Sequence, residues 1–74
     1  MTATVNRKLK KGLHVVCYDD PITAQNVEAV GVLDRFKEYH SASYLKRKLE
    51  LWTVRFSACD PVVERWVCAD DIQD

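Results

Sequence analysis

The sequence predicts a small all-β domain of about five strands, on three observations. The first is strict alternation over residues 51–58: Trp52, Val54, Phe56 and Ala58 fall on one face and Thr53, Arg55 and Ser57 on the other. A period of two marks a half-buried strand. The second is a set of runs rich in β-branched and aromatic residues, the types that fit a pleated surface. The third is the punctuation between them, Gly12, Asp19-Asp20-Pro21 and Asp60-Pro61. Proline cannot donate to a ladder, and the residue before it is pushed out of the helical region.

Taken in order, residues 1–10 read as a basic flexible arm ahead of a domain spanning 11–74. Gly12 breaks the arm, and residues 13–18 form the first strand, with Leu13, Val15 and Cys17 inward. Asp19-Asp20-Pro21 stops it. A second strand runs over 27–33 and continues to Tyr39. It places Ala29, Gly31 and Leu33 on one face, and a glycine inside a strand marks a bulge or a close backbone approach. Two readings compete over 41–51. Tyr44, Leu45, Leu49 and Trp52 have spacing compatible with a helix, whereas His40-Ser41-Ala42-Ser43 has turn chemistry. The preferred reading is a long hairpin with Lys46-Arg47-Lys48 at its tip. Residues 64–69 form the last long strand, and Asp70-Asp71 turns the chain so that Ile72 tucks inward. The expected core is Leu13, Val15, Cys17, Ala29, Leu33, Trp52, Val54, Phe56, Val67 and Ile72.

A chain of 74 residues buries only roughly 60–65% of its unfolded surface, so the core is thin. The three cysteines, Cys17, Cys59 and Cys68, are odd in number and lack Cys-x-x-Cys or Cys/His spacing. They are expected as free thiols, with neither a disulfide framework nor a metal site. No leader-like apolar run and no stretch of about 18 apolar residues is present, which leads to the expectation of a cytoplasmic protein. Net charge is zero but unevenly spread. Residues 1–12 carry Arg7, Lys8, Lys10 and Lys11 without an acid, and residues 59–74 carry five acids against Arg65. Such asymmetry bears on association rather than on fold.

Catalytic patterns are weak. His14 and His40 are the only histidines, and general acid–base work needs a partner within hydrogen-bond reach; His14 reads as a plain surface histidine. Adjacent carboxylates on a strand point to opposite faces, so Asp19-Asp20 and Asp70-Asp71 read as turn formers. Cys68 would be reactive only if exposed beside a cation such as Arg55 or Arg65. No enzymatic activity and no cofactor are expected. Trp66 has the opposite parity from the inward Val67. It is either an interface anchor or a lid over the edge of the sheet.

Several segments share a layout with a known superfamily: Lys11-Gly12-Leu13-His14-Val15 opening a strand, Ala29-x-Gly31-x-Leu33, Trp52-x-Val54-x-Phe56, and a closing Val67 to Ile72. Over residues 11–73 this resembles the SH3-like small β-barrel. In outline it is most similar to small accessory subunits such as the ferredoxin–thioredoxin reductase variable chain and the photosystem I E subunit. The resemblance implies a barrel and a non-catalytic docking or stabilising role; no functional residue is carried over from it. The residues' own chemistry gives two readings. In one, a protein partner is engaged through Arg7, Lys8, Lys10, Lys11, Lys46, Arg47, Lys48 and Trp66. In the other, the same basic groups, with Tyr39 and Tyr44 for stacking, hold nucleic acid. A sequence pI near 6.7 argues against the second. A homo-oligomer is compatible with either.

Overall fold

The computed structural model describes residues 8–41 and 47–73. Five antiparallel strands make one sheet: β1 (His14–Asp20), β2 (Gln25–Tyr39), β3 (Leu49–Arg55), β4 (Val63–Cys68) and β5 (Ile72–Gln73). A single 3-10 turn, Ala69–Asp71, joins the last two. The sheet order is β4-β3-β2-β1-β5. The ends of the sheet, β4 and β5, share no ladder, so the sheet is curled without closing into a barrel. The curl is nonetheless strong enough to bring β1 and β4, which are not neighbours in the sheet, into contact. No helix among the described residues is long and apolar enough to cross a membrane.

The strand alternation predicts the concave face well. Val15, Cys17, Leu33, Trp52, Val54, Val67 and Ile72 are all buried in one cluster, with Leu13 and Phe56 packed against it. Register explains why these residues meet. Val15 sits opposite Gly31 on one side and Ile72 on the other, and Leu33 sits opposite Val54. Gly31 is the close approach that a strand glycine suggests: a Cβ there would lie 3.1 Å from the Phe56 ring.

Three bulges set the shape of β2. One, at Cys17/Tyr18, leaves Glu28 as an extra residue between the pairs Cys17–Ala29 and Tyr18–Val27. The other two leave Asp34 and Lys37 unopposed. Each bulge shifts side-chain parity by one and adds twist. Leu33, Phe36 and Tyr39, three apart, therefore all pair with the inward series Val54, Trp52 and Glu50. Phe36 packs its ring edge on Trp52 at 5.8 Å between centroids, and Tyr39 follows at 4.8 Å from Phe36. This row climbs out of the core, with Phe36 37% and Tyr39 73% exposed.

Within residues 1–10, read as a basic arm, Leu9 is buried in the core, and the Lys10 carbonyl accepts from the Leu13 amide in the turn at Gly12. Three expectations need correction. Ala29 is only half-buried, because it lies at the bulge where the hairpin leaves the core. Ala58 is exposed, because β3 ends at Arg55 and residues 56–60 turn. Leu49 and Cys68, directly opposite one another, are buried on the convex side, which the alternation assigns to solvent. Of the competing readings for 41–51, the strand holds over 49–51, and residues 42–46 lie outside the described residues.

Leu33 is the bulkiest of the fully buried side chains. Leu33→Ala is expected to cost about 2–5 kcal/mol. That approaches the whole stability of a small domain, ~5 kcal/mol. Urea denaturation followed by tryptophan fluorescence should find the variant's midpoint below half of the parent's at the middle of that range, with an unchanged slope.

Candidate functional site

Trp66 points away from the core, as its parity requires. Its neighbour across the ladder is Leu51, and the His40 ring meets it edge-on at 4.8 Å. The indole is half-buried and forms one wall of a cleft of about 310 Å³ between β4 and the β1–β2 turn. Tyr18 and Pro21 form the facing wall. Three carboxylates, Asp19, Glu28 and Glu64, line it against a single cation, Arg65.

The charges of this cleft are held in defined places. Arg65 makes a side-on bidentate pair with Glu28, Nε to Oε1 and a terminal nitrogen to Oε2, both at 2.8 Å. Its other terminal nitrogen donates to the Glu64 carbonyl at 2.8 Å. Fork-to-fork geometry is the strong form of this interaction. Hydrogen bonds from Arg65 hold the Glu28 carboxyl below its ordinary range, and Glu28 in turn raises the Arg65 guanidinium above its own. Glu64 has a looser contact, 3.7 Å from Lys37. Asp19 is exposed.

Behind the cleft stands a second ion pair. Arg47 donates to both carboxylate oxygens of Asp71, at 2.6 and 3.4 Å, and through Nε to the Pro21 carbonyl at 3.0 Å. Its guanidinium also lies 5.7 Å from the Tyr18 ring centroid. Asp71 is the one buried charged residue among those described. Hydrogen bonding to Asp71 raises the Arg47 guanidinium above its usual value.

The proposed contact residues are thus dispersed. Arg7 and Lys46 lie outside the described residues. Lys8, Lys10, Lys11 and Lys48 are exposed. Arg47 is half-buried, and its guanidinium is engaged by Asp71. Lys11 and Trp66 border different clefts that share no lining residue. Asp20 behaves as a turn former, its carboxylate accepting from the Thr23 amide at 3.4 Å. Sequence reasoning missed Glu28 and Arg65, which lie 37 positions apart and meet only through the curl. Among the described residues no group of histidines, cysteines and acids is arranged to hold a metal ion. No protein family, curated protein or solved structure matches the chain.

The thiols are free, with Cys17 and Cys68 buried and Cys59 exposed. Burial pushes the Cys17 thiol up from about 9 to about 11, and burial also raises Cys68, despite Arg47 nearby. Cys68 is therefore not an activated nucleophile. Two outcomes are expected. Iodoacetamide at about pH 8 should label Cys59 alone in the folded protein, and all three in urea, as peptide mass spectrometry would read. Because folding raises the Cys17 pKa, its contribution to stability is intact below about pH 9 and is lost as pH rises towards 11. Urea midpoints measured across that window should fall, and Cys17→Ala should flatten the fall.

Proposed function

We propose that this chain is a non-enzymatic protein-docking module whose cleft between Trp66 and the Tyr18–Pro21 wall receives a basic segment of a partner protein. The observation that carries the reading is the pairing of a half-buried indole with Tyr18 and Pro21 in a cleft lined by three carboxylates and one arginine. Aromatic and proline walls give a rigid apolar contact at little entropic cost, and tryptophan is enriched among interface anchors. The surplus of carboxylates selects a cationic segment and repels phosphate. The cleft's geometry is held before binding by the Arg65–Glu28 and Arg47–Asp71 pairs, which cuts the ordering cost of association.

The expected chemistry divides by residue. Trp66 carries affinity, and Asp19 and Glu64 carry steering. A random peptide library displayed on phage and selected on the full chain should return sequences enriched in lysine and arginine. Against a selected peptide, Trp66→Ala should speed dissociation and cost at least about 2 kcal/mol. Asp19→Asn with Glu64→Gln should mainly slow association and flatten its salt dependence. Surface plasmon resonance separates the two. Selection of acidic peptides, or a folded Trp66→Ala variant that binds like the parent, contradicts the reading. Retention of the chain on an oligonucleotide column at low salt, lost steeply as salt rises, would move the assignment to the exposed lysines 8, 10, 11 and 48.

A further inference from the structure

The docking reading leaves a second cleft unused. It lies between the turn at Gly12 and the β3–β4 turn and has a volume of about 340 Å³, within the roughly 300–1,000 Å³ of small-molecule sites. Its apolar surface comes from Val32, Leu33, Phe56 and Ala58. Both sides are fixed. Gly12 adopts φ +92° with open space where a Cβ would stand, and its amide donates to the Leu33 carbonyl at 2.8 Å. Phe56 rests on Gly31, and the Arg65 guanidinium lies 5.6 Å from its ring centroid.

Three charged groups line this cleft, and two are committed. Asp34 accepts from the Thr53 hydroxyl at 3.2 Å. Arg55 donates to the Asp60 carbonyl at 2.8 Å. Lys11 has no partner among the described residues. The lining therefore combines an apolar floor, a net charge of +1 from Lys11, Arg55 and Asp34, and one ammonium that no other described residue engages. Polyphosphates would leave most of their charge against hydrocarbon, and a cation would face the positive surplus.

We propose that this cleft binds a small amphipathic carboxylate, its apolar body against Phe56, Val32 and Ala58 and its carboxylate on the Lys11 ammonium. The two clefts share no lining residue, and they adjoin where Arg65 lies over Phe56.

The test compares octanoate, octanol and octylamine, each below its micelle concentration, by amide chemical-shift titration of the full chain. Octanoate should shift the amides of Gly12, Leu33, Phe56 and Ala58 and bind about fivefold more tightly than octanol, the upper end for an exposed ion pair. Octylamine should be weakest. The preference for octanoate should shrink as salt rises. Lys11→Gln should lower octanoate to the octanol level while leaving octanol unchanged, and Ala58→Phe should fill the cleft and remove both. Equal binding of the three probes, shifts centred on Trp66, no shifts at all, or an octanoate preference that survives Lys11→Gln would each overturn the proposal.

Discussion

The Arg47 guanidinium is where three otherwise separate parts of this chain meet. It comes from the connection between β2 and β3, and it binds the carboxylate of Asp71 in the 3-10 turn and the Pro21 carbonyl at the end of β1. A curled sheet whose two edge strands share no ladder has an open seam, and among the described residues no backbone hydrogen bond joins those two strands across it. Arg47 and Asp71 are mostly out of water, with side-chain exposures of 19% and 9%. Withdrawing two charges from water costs several kcal/mol each, and only complete geometry offsets it. Here the geometry is complete: two bonds to the carboxylate, one to a carbonyl, and an aromatic face at 5.7 Å. Such a pair contributes little net energy, but it penalises any arrangement that separates its members.

The site follows from that closure. Tyr18 and Pro21 form one wall of the Trp66 cleft, and both are touched by Arg47. The Glu28 bulge aims a carboxylate across the concave face to Arg65, which ties the first hairpin to β4. Cleft walls that come from strands far apart in sequence are thereby held at a fixed separation. A domain with so thin a core uses two bidentate ion pairs where a larger one would use hydrocarbon.

Much of the strand pattern was legible in the sequence, because alternation is a local property. Val15, Cys17, Leu33, Trp52, Val54, Val67 and Ile72 follow from parity alone, and all seven are buried together. Parity also puts Trp66 on the outer side. The failures share a cause. Leu49 and Cys68 are buried on the convex face, and Phe36 and Tyr39 join the Trp52 face only because bulges at Asp34 and Lys37 shift the register. A bulge carries no composition signal when glycine is absent from it. Glu28, Arg65, Arg47 and Asp71 look like ordinary surface charges in the sequence. Their partners are chosen by the curl of the sheet, a global property that no local window contains.

The central claim is that Arg47 and Asp71 act as one unit closing the fold. A double-mutant cycle measures it directly, with Arg47→Met, Asp71→Leu and the double variant compared by urea denaturation. Each single variant strands a buried charge and should cost about 3–5 kcal/mol. The account predicts that the double variant, with both charges gone, unfolds at a higher urea concentration than either single variant. A double variant destabilised by the sum of the two single effects, within about 0.5 kcal/mol, would contradict it.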